Sequence, residues 1–458
     1  MFRKILIANR GEIALRILRA CRELGVKSVI AYSEADRDSL PVRLSDEAVC
    51  IGPAPASGSY NNIPAIISAA LLTGCDALHP GYGFLAENPS LAEVCEECNI
   101  TFIGPRADVL AEMGDKARAR ALMKHAGVPI APGTEEPIRD GQEARSIARG
   151  IGFPVLIKAV AGGGGRGMRV AHDEHELSRL IGVAQSEAAA SFGNDAVYIE
   201  RFLDRPRHVE VQILADNHGH VVALGERDCS IQRRYQKLIE ESPAPNLSKK
   251  VRENLAKAAV KAARSINYTG AGTFEFLVDR EEKFYFTEAN TRIQVEHPVT
   301  EMVTGIDIVK WQIRVAAGEP LDFGQRDVQI SGHAIEARVN AETPDRDFAP
   351  SCGVVTDLVL PGGVGVRVDS HLYEGYVVPP HYDSLLAKVI GWGATRDEAI
   401  ARLQRALGET VIVGVDTTTV FSQELIADPL YRSGELTTDF VASFLARRPT
   451  PATRLIAR

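Results

Sequence analysis

The sequence predicts an α/β protein, and three observations carry the prediction. Strand-like and helix-like runs alternate over the first 114 residues, a lysine-bearing strand leads into a glycine-rich loop near residue 160, and two carboxylate-bearing strands face each other between residues 272 and 290.

The alternation sets the first elements. Residues 4–8 are a short buried-strand run, 12–24 carry apolar residues at helical spacing before Gly25, and 29–32 form the next strand. A helix over 62–72, a strand at 77–78, a helix over 91–98 and a strand at 101–103 continue the pattern. Repeated strand–helix–strand units imply a parallel, Rossmann-like sheet with right-handed crossovers. The turn Asn9-Arg10-Gly11-Glu12 lacks the three-glycine fingerprint, which argues against a dinucleotide. The glycine-bearing loop that starts at His79 and ends at Glu87 follows a parallel strand, the edge where such sheets hold ligands, although a plain turn reads as well there.

A helix over 115–126, closed by Gly127, leads into a small unit with strands at 154–160 and 196–199. Between them lies Ala161-Gly162-Gly163-Gly164-Gly165-Arg166-Gly167-Met168. Successive glycines let backbone N–H groups wrap a polyphosphate without Cβ clashes, and Lys158 supplies a point charge. The string is not a P-loop, and taken alone it also suits a linker. The connector 198–203 has an apolar character and free backbone groups able to hold adenine, although a plain connector reads as well there, and a further strand begins at Arg207. Residues 229–237 form a polar, basic stretch ending in Lys237.

The hairpin is the most informative stretch. A strand over 272–278, a turn at 279–282 and the run Phe284-Tyr285-Phe286 place Glu275 opposite Glu288. Alternation then puts Glu288, Asn290 and Arg292 on one face of one strand. Two carboxylates ~4 Å apart repel by ~4 kcal/mol at an effective dielectric near 20. They stay ionised together around a cation, and oxygen ligands without His or Cys suit Mg²⁺ or Mn²⁺. From residue 330, strands at 333–339 and 364–369 and a helix over 396–407 read as a C-terminal α+β region, and 447–458 as a loose tail.

The whole chain agrees with this. Its 458 residues allow about two to four domains. A net charge of −8 without a Lys/Arg block argues against nucleic acid, and no apolar run reaches the ~20 residues of a membrane span. The N-terminus lacks a signal-peptide pattern. An odd number of cysteines, 7, fits a reducing compartment and a cytoplasmic protein, and Cys95 and Cys98 lack the second pair a zinc site needs.

The order of these features resembles the ATP-grasp fold, and the longer strings resemble biotin carboxylase over nearly the whole chain. The matching strings are the one from Ile7 to Ala14, the one from His79 to Phe84, Gly162 to Met168, Arg207-His208-Val209-Glu210, Glu275, and the one from Glu288 to Pro298. The resemblance implies an N-terminal domain over 1–114, an ATP-grasp domain over 115–329 with a mobile lid over 131–203, and a C-terminal domain over 330–446. It implies that Lys116 and Lys158 bind ATP phosphates, that Gly163, Gly164, Gly165, Arg166 and Gly167 form the lid loop, and that Glu200, Leu203 and His208 meet the nucleoside. Gln232 and Lys237 meet phosphate or bicarbonate, and Glu275, Glu288 and Asn290 hold metal, expected as two Mg²⁺ or Mn²⁺ ions. Arg292, Gln294, Val295 and Glu296 bind bicarbonate, with Glu296 as its base, and Arg338 faces biotin.

The implied activity is ATP- and bicarbonate-dependent carboxylation of biotin through carboxyphosphate. The biotin is expected on a separate biotin carboxyl carrier protein, because the one partial match to a biotinylation site, Leu122-Met123-Lys124-His125, falls in a predicted helix. Carboxyltransferase subunits and a homodimer complete the expectation. Acetyl-CoA carboxylase is the default setting, with a pyruvate or propionyl-CoA carboxylase as the alternative. Two positions depart from the family pattern: Tyr235 where some members carry histidine, and Val364 where an aromatic residue lies near the dimer contact.

Overall fold

The computed structural model describes residues 1–134, 137–138, 141–159, 168–192 and 195–448. The glycine loop that holds Gly163 to Gly167, and nearly all of the expected tail, lie outside the described residues.

The N-terminal region is a parallel five-stranded sheet in the order Glu47–Gly52, Lys27–Ser33, Lys4–Ile7, Ala77–His79, Thr101–Phe102. Apolar side chains alternate between its two faces. Ile5 and Ile7 pack under the helix Gly11–Glu23, while Leu6 and Ala8 pack against Ile66, Ile67 and Leu91 from helices on the other side. The strand Glu47–Gly52 was not foreseen. It is an edge strand whose residues are mostly exposed, so it lacks the apolar run that marked its neighbours.

A second, antiparallel sheet of eight strands forms the body of the molecule. Its order is Phe284–Asn290, Gly270–Val278, Arg207–Ala215, Val221–Arg233, Gln236–Ser242, His333–Asn340, Leu385–Gly393, Val366–Ser370. The sheet runs without a break from the predicted hairpin into the C-terminal strands. The helix Lys249–Ser265 covers one end, placing Leu255, Ala259 and Ala263 on Val209, Phe274 and Phe276. The helix Arg396–Glu409 lies against Leu385–Gly393, where a Cβ on Gly393 would come within 2.6 Å of the Ala399 backbone nitrogen, so only glycine admits this approach.

A three-stranded sheet with Val155–Ala159 between Met168–Ala171 and Val197–Arg201 stands apart with its own core, Ala144, Val155, Ile157, Leu177, Ile181 and Ile199. It joins the body through the Arg201 amide, which donates to the Pro132 carbonyl at 2.8 Å, and through the Phe286 amide on Pro129 at 2.7 Å.

Candidate active site

Strand register builds the site. Glu275 is the Cα partner of Glu288 on one side and of Glu210 on the other, and Glu210 pairs in turn with Arg227. The predicted facing of Glu275 and Glu288 is therefore correct, and it extends into a row of acids across adjacent strands. Such a row needs cations, and the sheet supplies them from inside. Arg227 is fully buried, at 0% exposure, and donates to Glu210 Oε1 at 2.6 Å, Gln212 at 2.7 Å, Thr300 at 2.9 Å, Thr273 at 3.1 Å and Gln294 Oε1 at 2.8 Å.

Lys237 is the second internal cation. Its Nζ lies 2.6 Å from Glu210, 2.6 Å from Glu296 and 3.1 Å from Glu275. Burial favours the neutral amine, but the surrounding acids outweigh it and hold Lys237 charged well above the usual lysine range. Glu275 follows the converse logic. Burial would raise it, yet Lys237 and His208, whose Nε2 is 2.8 Å away, keep it ionised well below the usual carboxylate range. Asn290 and Gln294 also donate to Glu275 Oε1, at 2.7 and 2.8 Å.

Glu296 precedes the helix His297–Thr304 and is 2% exposed. It bridges two cations, Lys237 on Oε1 and Arg338 on Oε2 at 3.0 Å. Burial opposes its charge, but Lys237, Arg338 and Arg227 together lower its pKa, so it is a carboxylate at neutral pH. Arg338 is also held from behind by Glu240, which accepts from Nε at 2.6 Å.

One strand prediction needs correction. The strand carrying Glu288 ends at Asn290, so Arg292 is not its next same-face residue. The chain turns there, and Arg292 reaches back to donate to Asn290 Oδ1 at 3.0 Å and to Glu87 Oε2 at 2.9 Å. Asn290 and Arg292 still meet, through a turn rather than through pleat alternation. Val295 points its carbonyl at the buried Lys388 Nζ, 2.9 Å away. Gln232 is the register partner of Lys237 across their hairpin. The stretch 229–237 is mostly strand, buried from Cys229 to Ile231, with Tyr235 exposed at the turn.

The other expected residues form two outlying pairs. Lys116 begins the helix Lys116–His125 and sits 3.6 Å from Glu288. Lys158 pairs with the side chain of Glu200, which also accepts from Arg120 at 3.1 Å, so Lys158 is paired in this structure rather than free. Leu203 is half-buried just beyond the strand Val197–Arg201. Sequence reasoning missed Arg120, Arg227, Glu240 and Lys388, and gave no role to Glu87 or Glu210. These last two sit inside strings already singled out. A charged triplet, Glu226-Arg227-Asp228, just past the apolar run Val221-Val222-Ala223-Leu224 and Gly225 was the available signal for Arg227.

This arrangement can hold a polyanion. Glu275, Glu288 and the Asn290 side-chain oxygen are hard oxygen donors at the mouth of the acid row, and they fit Mg²⁺ or Mn²⁺ better than a soft metal. Lys237 and Arg338 bring positive charge to Glu296, and Arg292 brings it to Asn290.

Comparison with known proteins supports the same conclusion. The family models for the biotin carboxylase N-terminal domain, the carbamoyl-phosphate synthase L chain ATP-binding domain and the biotin carboxylase C-terminal domain match residues 1–110, 115–323 and 336–443. Biotin carboxylase 1 of Bacillus subtilis is 58% identical over 445 residues, covering 97% of this chain and 99% of that protein. A pyruvate carboxylase subunit from Methanothermobacter thermautotrophicus is 55% identical over 444 residues, covering 97% and 90%. The biotin carboxylase domain dimer of Hydrogenobacter thermophilus 2-oxoglutarate carboxylase, solved with MgADP, ADP and bicarbonate, superposes with a TM-score of 0.92 at 48% identity, covering 97% of this chain and 98% of that one.

Fold and site together define a ligase of the ATP-grasp class. Within that class, the matching N-terminal and C-terminal family models and the 58% identity to the Bacillus subtilis protein narrow the choice. The chain belongs to the biotin carboxylase family.

Proposed function

We propose that the chain carboxylates biotin carried on a biotin carboxyl carrier protein, as the first half-reaction of acetyl-CoA carboxylase in fatty acid synthesis. The observation that carries the mechanism is the position of Glu296 between Lys237 and Arg338, which brings both half-steps to one carboxylate. ATP lies between the lid and the body, with Lys116 and Lys158 on its phosphates, Glu200, Leu203 and His208 at the nucleoside, and the glycine loop closing over it. Glu275, Glu288 and Asn290 would hold two Mg²⁺ or Mn²⁺ ions, which would neutralise phosphate charge. Bicarbonate sits among Arg292, Gln294, the Val295 backbone and Glu296.

Glu296 takes the bicarbonate proton as its oxygen attacks the γ-phosphate, with Lys237 and Gln232 on the transferring group. The paired cations guarantee that Glu296 is unprotonated, at a cost in basicity. Carboxyphosphate then breaks down to CO₂ and phosphate, the phosphate deprotonates biotin, Arg338 stabilises the enolate, and the enolate nitrogen attacks the CO₂ to give carboxybiotin. Closure of residues 131–203 excludes water that would hydrolyse the intermediate.

The same reading divides the chain into domains at 1–114, 115–329 and 330–446, working as a cytoplasmic homodimer with separate carboxyltransferase subunits. No described helix is long and apolar enough to cross a membrane. A second setting, the biotin carboxylase component of a pyruvate or acyl-CoA carboxylase, is favoured by the similarity to the Methanothermobacter pyruvate carboxylase protein. Copurification of the carrier and assay of acetyl-CoA, propionyl-CoA and pyruvate with the complete complex decides between them. Transfer to pyruvate alone overturns the acetyl-CoA assignment.

A further inference from the structure

Glu336 is a buried carboxyl that the mechanism above does not use. It lies on the strand His333–Asn340, two residues before Arg338 and therefore on the same face. It is 0% exposed, and neither carboxylate oxygen has a hydrogen-bond donor among the described residues. Its register partner on one side is Glu240, the residue that grips Arg338 from behind. Its partner on the other side is Ile390, which packs with Val299, Val303 and Ala334 in a small apolar cluster under the helix His297–Thr304.

The charged groups around it are already committed. From the Gln236–Ser242 strand comes Glu240, on Arg338. From the start of the His297–Thr304 helix come Glu296, on Lys237 and Arg338, and His297, whose Nδ1 meets the Gln294 carbonyl at 2.8 Å. From the Leu385–Gly393 strand comes Lys388, whose Nζ is 2.9 Å from the Val295 carbonyl and 3.0 Å from Glu12. Glu12, on the N-terminal helix, also accepts from Tyr82 at 2.5 Å. Asp369, on the Val366–Ser370 strand, is held by Arg367 at 2.7 Å. Among the described residues each of these cations has an acid, and neither oxygen of Glu336 has a donor.

We propose that Glu336 is carried as the neutral acid and acts as a positioning residue for Arg338, withholding a further negative charge so that the guanidinium can leave Glu240 and Glu296 for the biotin enolate. Burial and the like charge of Glu240 both push this carboxyl well above the ordinary range, although Lys388 pulls the other way. Ionised, Glu336 would add a competing anion on the face that Arg338 must leave. Neutral, it buries one O–H without an acceptor among the described residues, a smaller cost than an unpaired buried charge.

This inference rests on the role proposed for Arg338, and the test separates the two. The full-length chain and its E336Q variant are compared for biotin-dependent carboxylation across pH, alongside infrared difference spectra of the resting proteins. The neutral amide should keep turnover at neutral pH close to that of the parent, because it has the shape of the neutral acid. It should also remove the part of the alkaline fall in activity that comes from Glu336 ionising, seen as a biotin KM that no longer climbs with pH. The wild-type spectrum should contain a protonated-carboxyl stretch that persists into mildly alkaline solution and is lost in E336Q. An unchanged alkaline limb in E336Q, or a folded variant with a wild-type spectrum, overturns the proposal. Should E336Q fail to fold, E336M takes its place in the spectra: loss of a band that persists in the parent supports the neutral acid, and an unchanged spectrum overturns it. The infrared arm needs no turnover, so a chain unable to carboxylate biotin would sink the proposed function without touching this result.

Discussion

Replacing Arg227 with methionine should destabilise the protein while leaving its surface untouched. The guanidinium is fully buried and donates to Glu210, Gln212, Thr273, Thr300 and Gln294. Removing it strips Glu210 of its 2.6 Å partner and leaves that carboxylate to Lys237, which Glu275 and Glu296 also share. Breaking one side of a buried ion pair costs about 3–5 kcal/mol. Unfolding of a region this size shifts by about 2–4 °C per kcal/mol, so R227M should melt about 6–20 °C below the parent. R227K keeps a charge near Glu210 but cannot span the other acceptors, and should fall between the two. Thermal unfolding followed by circular dichroism measures this directly. R227M melting within about 2 °C of the parent would refute the argument that this arginine holds the acid row together. At temperatures where R227K is folded, its bicarbonate KM should also rise, because Gln294 has lost the anchor on Oε1.

Other expected outcomes follow from the same geometry. Glu296→Ala should reduce bicarbonate-dependent ATP cleavage by about 10²–10⁴, whereas Arg338→Ala should retain cleavage and uncouple it from carboxybiotin, read by parallel ADP and carboxybiotin assays; equal loss of ATP cleavage in both would contradict the division of roles. Lys158→Ala should raise the ATP KM by about 10- to 100-fold, the worth of one charge-assisted hydrogen bond, and an unchanged value would remove Lys158 from the phosphate site. Glu241 is lowered to about 2, because the His333 and Arg396 bonds at 2.6 and 2.7 Å overcome burial. A depressed carboxylate contributes stability above its unfolded value near 4.5 and loses it as pH falls toward 2. That contribution is about 3 kcal/mol, so urea titrations of E241Q and parent should converge across this window, and parallel curves would contradict it.

What the sequence disclosed, and what it withheld, follows from the range of each interaction. The hairpin was readable because Phe284, Phe286, Phe274 and Phe276 alternate with polar residues and the turn between them is short. That register alone would set Glu275 against Thr287, and an irregularity between Phe276 and Glu275 shifts it by one so that Glu288 lies opposite. Arg227, Glu210 and Lys237 could not be joined this way, because their contacts depend on the order of strands in an eight-stranded sheet. Lys388 is further removed still, reaching Val295 from 93 residues away. Lone buried charges of this kind look like surface residues in a sequence. The turn after Asn290 was also hidden, since the apolar alternation that supported the strand stops at Phe286, before the turn begins. The edge strand Glu47–Gly52 has too few buried residues to show a period.

The most direct test of the central claim, that Glu296 activates bicarbonate for attack on ATP, uses bicarbonate labelled with oxygen-18. If bicarbonate attacks the γ-phosphate, one of its oxygens ends in inorganic phosphate when carboxyphosphate breaks down. The purified chain, given ATP, Mg²⁺, labelled bicarbonate and biotin, should release phosphate carrying one labelled oxygen per turnover, and E296A should lose label and turnover together. Phosphate released without label, or label that persists in E296A, would contradict the account.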